Sequence, residues 1–309
     1  MNYDVIIIGG GPGGTKAASL LADAGKKVAI IEDSHWGGTC LNCGCIPTKM
    51  LLGAAAPAEL IQAQQRLRVL KGESSMDFAA LQNRIGRFLK GSSQTLARNL
   101  ATRGVTLLEG RGECLGEGRV LVKTAEGEHE IQGTDIILSC GSRNAAFPGL
   151  SPDGDCVLDS TGMLALNEVP ESLIVVGAGA IGLELGHFFG SQGTKVTIVE
   201  AAPHIAPLED TDIADELRKV LTKSGKTCLE GVRAQSLETK DGQAELTLAD
   251  GRVLTAAKAL VAVGRKPNSD GLGCEAGGCT LDRRGYVQTD DCLQAAPHVH
   301  AIGDINGRV

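Results

Sequence analysis

Aromatic residues are scarce in this 309-residue sequence, and a positive net charge and long apolar runs are absent. Aromatic residues make up 3% of it, and 30 lysine and arginine residues against 37 aspartate and glutamate residues give a formal net charge of −7. Proteins that bind nucleic acid non-specifically are normally basic, so that class is disfavoured. No apolar run approaches the roughly 18 residues of a membrane-spanning helix. The N-terminus has neither the basic segment nor the cleavage site of a signal peptide, so we expect a cytoplasmic globular protein without a membrane partner.

Glycine and cysteine, by contrast, are abundant. The chain has 42 glycines, about twice the average usage of roughly 7%. Many glycines in an aliphatic sequence indicate close backbone approaches such as phosphate-binding turns. The ten cysteines are not expected to form structural disulfides in a cytoplasmic protein, so any disulfide would be catalytic and most of the thiols inert.

One sequence pattern occurs twice, 168 positions apart. Each copy has an aliphatic run, a G-x-G-x-x-G turn, a helix-like stretch and a second aliphatic run that ends in glutamate. The copies span residues 5–32 and 173–200, with 23 positions from the first glycine to the glutamate in both. This pattern predicts two strand–helix–strand units of the dinucleotide-binding type.

Each part of the pattern has a physical role. The first glycine permits a sharp turn, the second lets the backbone approach a pyrophosphate, and the third allows close helix–strand packing. The helix N-terminus offers free N–H groups and partial positive charge, and the glutamate can accept hydrogen bonds from ribose hydroxyls. The predicted residues are Gly9, Gly11, Pro12, Gly14 and Glu32 in the first site, and Gly177, Gly179, Ala180, Ile181, Gly182 and Glu200 in the second.

Glu200 also indicates which nucleotide the second site takes. Its carboxylate would repel a 2′-phosphate, and no arginine occurs in residues 201–204. We therefore expect the second site to prefer NAD over NADP.

Three cysteines, Cys40, Cys43 and Cys45, lie between the first copy and a long helical stretch. Pro47 suits the first turn of a helix. Cysteines near the start of a helix have depressed pKa values, which favour the thiolate. The cluster is therefore typical of a redox-active site.

The segment GGTCLNCGCIPTK at residues 37–49 resembles the active-site signature of the flavin-dependent pyridine nucleotide-disulfide oxidoreductases, in particular their dihydrolipoamide dehydrogenase branch. The resemblance covers nearly the whole chain in order, through both glycine-rich turns, residues 261–268 and residues 301–304. It implies FAD and NAD as cofactors. It also implies that Cys40 and Cys45 form the redox disulfide, with Cys40 meeting the substrate and Cys45 acting as the charge-transfer thiol beside the flavin.

The same resemblance assigns further residues. Lys49 would lie near the flavin ring and pair with Glu184, because a buried charge needs a partner. Asp304 would bind the ribityl chain of FAD, and Val232 and Gly264 would line the NAD site. The other implied FAD contacts are Gly38, Thr39, Lys49, Gly112, Ser139 and Gly141.

Three departures from the family pattern matter. Cys43 replaces an aliphatic residue, so it is either a small apolar side chain or part of a competing Cys40–Cys43 disulfide. A metal or iron–sulfur role is disfavoured because no fourth ligand has suitable spacing. The sequence Ser-Cys-Gly at 139–141 replaces an Ala-Thr-Gly turn, and we expect the flavin contact to be kept. The family's C-terminal interface domain, which forms the homodimer and supplies a His–Glu pair, has no counterpart here, so we expect impaired turnover.

These observations predict an α/β fold with two Rossmann-like domains. Residues 1–143 and 266–309 would form a discontinuous FAD-binding domain, and residues 144–265 an NAD-binding domain. The expected function is electron transfer between a dihydrolipoamide-type dithiol and NAD. A mercuric reductase is an alternative, and a glutathione reductase is disfavoured because arginines for NADP are lacking. A dinucleotide-binding fragment that reduces only dyes with NADH is an alternative of another class.

Overall fold

A computed structural model of the chain describes residues 2–72 and 75–308. Its internal contacts divide it into two compact units. The first unit contains Met1–Cys45, Arg87–Arg143 and Arg265–Val309, and the second contains Ile46–Gly86 and Asn144–Gly264. Residues 46–86 therefore group with the second unit, whereas the sequence analysis placed them in the FAD-binding domain. Which cofactor each unit binds stays a prediction.

Both units contain helices and strands, with strand–helix–strand segments and runs of consecutive strands. Up to residue 144 they are, in chain order, β1 (Asn2–Ile8), α1 (Pro12–Asp23), β2 (Val28–Glu32), α2 (Gly38–Cys43), α3 (Cys45–Arg66), α4 (Phe78–Thr102), β3 (Thr106–Glu109), β4 (Arg111–Gly116), β5 (Arg119–Thr124), β6 (Gly127–Leu138) and β7 (Ser142–Asn144). The elements that follow are β8 (Val157–Leu158), α5 (Ser160–Leu164), β9 (Ser172–Val176), α6 (Ala180–Ser191), β10 (Lys195–Val199), α7 (Thr211–Lys223), β11 (Thr227–Leu229), β12 (Ala234–Lys240), β13 (Gln243–Leu248), β14 (Val253–Ala256), β15 (Lys258–Val261), β16 (Arg265–Pro267), β17 (Gln294–Ala296), β18 (Val299–Ala301) and a 3-10 helix (Gly303–Asn306).

The first unit is built on a large sheet. Its strand order is β17-β18-β6-β1-β2-β3, and β5 and β4 extend it from β6. The central strands β6, β1 and β2 are parallel, with Ile6 opposite Ala29 on one side and Ile136 on the other. Ile6 is fully buried. Strands covered on both faces read as continuous apolar runs, which explains the aliphatic sequences of β1 and β2.

The second unit contains a parallel sheet and an antiparallel one. The parallel sheet has the order β11-β10-β9-β15-β8, and the antiparallel sheet has the order β12-β13-β14. Phe78, Phe188 and Phe189 pack together with ring centroids 5.1–6.3 Å apart. The Phe78–Phe189 and Phe188–Phe189 pairs are edge-to-face, and such packing stabilises a core beyond the burial of apolar area.

The predicted α/β fold with two Rossmann-like units is confirmed. In each unit a strand, a helix of twelve residues and a parallel neighbouring strand follow one another, as β1-α1-β2 and as β9-α6-β10. Among residues 2–72 and 75–308, no helix combines the length and the apolar character that crossing a membrane requires.

Candidate dinucleotide and thiol sites

The first glycine-rich turn, residues 9–14, joins β1 to α1 and has no room for a side chain at two of its glycines. Gly9 has a φ of +110°, and a Cβ there would lie 2.3 Å from the carbonyl oxygen of Ser139. A Cβ on Gly14 would lie 2.0 Å from the carbonyl oxygen of Gly9. Both positions therefore require glycine, and the first turn of α1 packs directly against the end of β1.

The second turn, residues 177–182, repeats this geometry between β9 and α6. Gly177 has a φ of +99°, and a Cβ there would lie 2.3 Å from the carbonyl oxygen of Ala262. A Cβ on Gly182 would lie 2.1 Å from the carbonyl oxygen of Gly177. The two copies of the sequence pattern thus fold into closely similar turns.

The middle glycine of each turn faces open space instead. A Cβ on Gly11 or Gly179 would meet no heavy atom within 4 Å in the described part of the chain. Each is the N-cap residue of its helix, and neither helix has a side-chain cap. The backbone N–H groups of the first helical turn are therefore available to an anion, and a dinucleotide diphosphate fits at both turns.

The two glutamates fold back onto their own turns in the same way. Glu32 Oε2 accepts a hydrogen bond from the Gly10 N–H at 2.6 Å, and Glu200 Oε2 accepts one from the Ala178 N–H at 2.7 Å. Glu200 Oε1 also accepts a bond from the Ala202 N–H at 2.7 Å. A carboxylate has about four acceptor sites, so Glu200 has capacity left for ribose hydroxyls.

The short helix α2, which carries Cys40 and Cys43, packs against the first glycine-rich turn. The Gly37 N–H donates to the Gly10 carbonyl oxygen at 2.8 Å. Gly38 has a φ of +56°, and a Cβ there would lie 2.8 Å from the Gly11 Cα. Only glycine at position 38 allows this approach, so α2 lies beside the predicted diphosphate site.

The three clustered thiols differ in exposure. Cys40 and Cys43 are half-buried in α2, and the free thiol of Cys45 is exposed at the start of α3. Gly44 links the two helices in a tight turn, because a Cβ there would lie 2.9 Å from the Thr39 carbonyl oxygen. In residues 2–72 and 75–308, no group of three or more His, Cys, Asp or Glu side chains has the geometry to hold a metal ion.

Four other cysteines lie in or against the core of the first unit. Burial raises the pKa of Cys114 to about 12 and that of Cys274 to about 11. Burial also raises the pKa values of Cys140 and Cys279. These thiols pack as small apolar side chains and stay protonated, so they are poor nucleophiles.

Lys49 on α3 and Glu184 on α6 form an ion pair within the second unit. Lys49 Nζ lies 2.6 and 2.7 Å from the two carboxylate oxygens of Glu184. The pair was expected to be a buried charge with its partner, but the Lys49 side chain is 58% exposed in this structure. An exposed pair contributes about 0–1 kcal/mol to stability, so its effect is to hold the ammonium in place.

Asp304, in the 3-10 helix of the first unit, is held by residues that the sequence analysis did not single out for this role. Ser142 Oγ donates to Asp304 Oδ2. The Arg265 guanidinium Nε donates to Ser142 Oγ at 2.6 Å and lies 3.8 Å from Asp304 Oδ2. Ser142 is 162 positions from Asp304 in sequence, so no local pattern indicates this network.

Two of the remaining predicted FAD residues of the first unit, Ser139 and Gly112, contact the end of β1. The buried Ser139 donates its N–H to the Ile8 carbonyl oxygen at 2.7 Å. A Cβ on Gly112 would lie 2.9 Å from Ile8 Cγ2, and Gly141 has a φ of +65°. Thr39 is exposed in α2. The structure thus brings Ser139 and Gly112 to the strand that leads into the first turn.

The remaining predicted NAD residues of the second unit lie at three places. Val232 lies beside the end of β10, because its N–H donates to the Glu200 carbonyl oxygen at 2.9 Å. Ala180 and Ile181 form the first turn of α6. Gly264, with a φ of +123°, lies where the chain leaves the unit, and its carbonyl oxygen accepts the Ala145 N–H at 3.0 Å.

The sequence matches the family described as "Pyridine nucleotide-disulphide oxidoreductase" over residues 3–309. It is 38% identical to a dihydrolipoyl dehydrogenase of Chlorobaculum tepidum, over 99% of this chain and 66% of that protein. It is 39% identical to dihydrolipoyl dehydrogenase 3 of Pseudomonas aeruginosa, over 98% of this chain and 67% of that protein. The chain thus spans about two thirds of the length of these relatives.

The chain is also similar to solved structures over nearly its whole length. The HOCl-induced flavoprotein disulfide reductase RclA from Escherichia coli, in its Cu(II) complex, is 32% identical with a TM-score of 0.89. That similarity covers 100% of this chain and 67% of RclA. LpdA from Mycobacterium tuberculosis is 27% identical with a TM-score of 0.91, over 99% of this chain and 68% of LpdA.

Proposed function

Since the chain belongs to the pyridine nucleotide-disulphide oxidoreductase family, we propose that it transfers electrons between a dithiol and NAD through the Cys40–Cys45 pair and FAD. FAD and NAD(H) are the cofactors of this family. The observation that carries the proposal is the packing of α2 on the first glycine-rich turn. The Gly37–Gly10 hydrogen bond and the Gly38–Gly11 approach hold the thiol-bearing helix against the turn that we expect to bind a dinucleotide.

The thiol pair performs the exchange with substrate. A substrate thiolate attacks Cys40 Sγ, the Cys40–Cys45 bond breaks, and Cys45 leaves as a thiolate. The second substrate thiol then displaces Cys40, so the substrate becomes a disulfide while the pair becomes a dithiol. FAD, when bound, supplies the two-electron carrier that reoxidises the pair and reduces NAD+. The exposure of Cys45 and the half-buried position of Cys40 leave both sulfurs open to such chemistry.

The glycine-rich turns hold the cofactors. In the first unit, Gly9, Gly11, Gly14 and Glu32 would hold the adenosine diphosphate part of FAD, and Asp304 would bind its ribityl chain. In the second unit, the turn at 177–182 and Glu200 would hold NAD. The Glu200 carboxylate favours NAD, because it would repel a 2′-phosphate.

A dihydrolipoamide-type dithiol is the substrate class that the relatives named dihydrolipoyl dehydrogenase support. The test is reduction of NAD+ by dihydrolipoamide with the 309-residue chain loaded with FAD. We expect turnover in the wild type and a loss of at least about a thousandfold in Cys45→Ser. Cys292→Ser, which removes another exposed free thiol, is the matched control and should keep full activity. Equal rates in wild type and Cys45→Ser would overturn the proposal.

The two glycine-rich turns, whose geometry does not depend on the thiols, also support a second candidate function. It is a dinucleotide-binding unit that reduces dyes with NADH but does not turn over dithiols. Dye reduction without lipoamide turnover in the same preparation would favour this candidate. Efficient lipoamide turnover would exclude it.

A further inference from the structure

Cys43 is a third thiol in the reactive segment, and the proposed electron transfer does not use it. We propose that Cys43 exchanges with the Cys40–Cys45 pair, so that the oxidised protein contains two disulfide isomers, Cys40–Cys45 and Cys40–Cys43. This inference rests on the proposed redox role of Cys40 and Cys45. It makes Cys43 a residue that controls how much of the oxidised protein carries the productive disulfide.

The helical register places Cys43 within reach of Cys40. Both lie in the α-helix α2, three positions apart, so their side chains project from the same face. At that spacing their Cα atoms are about 5 Å apart, inside the roughly 4.4–6.8 Å range of disulfides. The Cβ atoms must approach by about a further ångström, because helical neighbours are about 5–6 Å apart and disulfides need about 3.5–4.5 Å. Cys43 is the last residue of a six-residue helix, where such an adjustment distorts few hydrogen bonds.

The turn at Gly44 places Cys45 at the same end of α2 as Cys43. Gly44 is the C-cap of α2, and Cys45 begins the next helix immediately afterwards. The close approach of Gly44 to the Thr39 carbonyl oxygen, where a Cβ would lie 2.9 Å away, folds this turn back along α2. Cys40 therefore has one potential partner along its own helix and another across the turn.

Cys43 is less buried than four thiols of the hydrophobic cores. Cys114, Cys156, Cys274 and Cys279 are between 1% and 5% exposed, as expected for thiols that act as small apolar side chains. Cys43 is only half-buried and α2 has no buried residue. Cys40 and Cys43 are thus both partly accessible, as the exchange requires, although partial exposure alone does not distinguish them from the core-contacting Cys140.

The exchange is an isomerisation that needs no added oxidant. The Cys43 thiolate attacks Cys40 Sγ in the Cys40–Cys45 disulfide, the new Cys40–Cys43 bond forms, and Cys45 leaves as a thiolate that takes up the proton lost by Cys43. The number of disulfides and thiols stays the same. In the second isomer Cys45 is a free, exposed thiol, so the pair no longer spans α2 and α3.

The direct experiment identifies the free thiol in the oxidised 309-residue chain. The FAD-loaded protein is oxidised, quenched in acid, alkylated without reduction and digested with trypsin. Residues 28–49 then form one peptide that contains all three cysteines, and fragmentation locates the alkyl group. We expect the label to divide between Cys43 and Cys45. Label on Cys43 alone would overturn the exchange.

Two variants make the test independent of the equilibrium between the two disulfide isomers in the wild type. Cys45→Ser, oxidised with diamide, should form Cys40–Cys43 and lose both alkylatable thiols of the segment. The matched control Cys43→Ser/Cys45→Ser should keep Cys40 alkylatable. If oxidised Cys45→Ser still carries label on both Cys40 and Cys43, the inference is wrong.

A third variant separates this inference from the proposed function. Cys43→Ser should form Cys40–Cys45 on oxidation and show a single isomer. If it forms no disulfide, the proposed function fails. If it forms that disulfide while Cys45→Ser forms none, only the exchange fails.

Discussion

The regions that follow the two glycine-rich turns differ more than the turns themselves. In both units a later loop returns to the turn by a backbone hydrogen bond: Gly37 N–H to the Gly10 oxygen at 2.8 Å, and Ala206 N–H to the Ala178 oxygen at 2.9 Å. After Gly37 the chain enters α2 with its cysteines, whereas after Ala206 it continues to α7. The repeated βαβ unit thus supplies two turns of similar geometry, each of which we propose as a nucleotide site. The segment inserted after the first one carries Cys40, Cys43 and Cys45, which include the proposed redox pair.

Removing a required glycine should affect one unit and not the other. In Gly177→Ala, the added Cβ would meet the Ala262 oxygen at 2.3 Å at a φ of +99°. We expect the second unit to lose about 2–4 kcal/mol of stability and NAD binding to be lost. Calorimetric titration with NAD measures the binding, and retained flavin absorbance reports on the first unit.

The matched control for this variant is Gly193→Ala. Gly193 has nearly the same φ of +98°, but a Cβ there meets no described heavy atom within 4 Å. Only the cost of a left-handed backbone applies, about 1–2 kcal/mol, and NAD binding should persist. If both variants bind NAD equally well, the close packing at Gly177 does not matter for the site.

Glu200→Ala tests the acceptor role of the second carboxylate. Loss of a charged acceptor should weaken NAD binding about tenfold, and removal of the negative charge should narrow the preference for NAD over NADP. Titration with both nucleotides gives the two affinities. Glu238→Ala, an exposed position on β12, is the control and should leave both unchanged. If Glu200→Ala keeps the wild-type ratio of NAD affinity to NADP affinity, the assignment of Glu200 to the NAD site is contradicted.

The buried thiols of the first unit predict a loss of stability in alkali. The pKa of Cys114 is raised to about 12 and that of Cys274 to about 11, so the unfolded state ionises first. The contribution of these two thiols to the free energy of unfolding is complete below about pH 8.5. It is lost as the pH rises through their pKa values in the folded state. Each thiol should lower the free energy of unfolding by up to about 1.4 kcal/mol per pH unit above about pH 9.

Urea unfolding at several pH values between about 8 and 10 measures this slope. Cys114→Ala should flatten the slope, even though the cavity it creates lowers the stability at every pH. An unchanged slope in this variant would show that Cys114 ionises equally in the folded and unfolded states.

The Lys49–Glu184 pair should have the smallest effect on stability. Because Lys49 is 58% exposed, Glu184→Gln should change the free energy of unfolding by less than about 1 kcal/mol. Thermal unfolding at low and high salt measures this contribution. A larger loss of unfolding free energy would mean that the pair is buried away from water.

The sequence predicts the local βαβ units well and the long-range contacts poorly. The turns at Gly9 and Gly177 follow from short patterns, because the steric demand of each glycine is set within a few residues. The Arg265–Ser142–Asp304 network joins residues more than a hundred positions apart, and no pattern near any of them indicates the partners. Likewise, the helical periodicity of residues 46–66 does not tell which sheet α3 packs against.

Anaerobic reduction of the FAD-loaded chain with two electrons tests the central claim most directly. If the thiols of α2 and α3 lie against the flavin, the reduced wild type should develop a long-wavelength thiolate–flavin absorbance, and Cys45→Ser should not. The same band in Cys45→Ser, or no band in the wild type, would contradict the account.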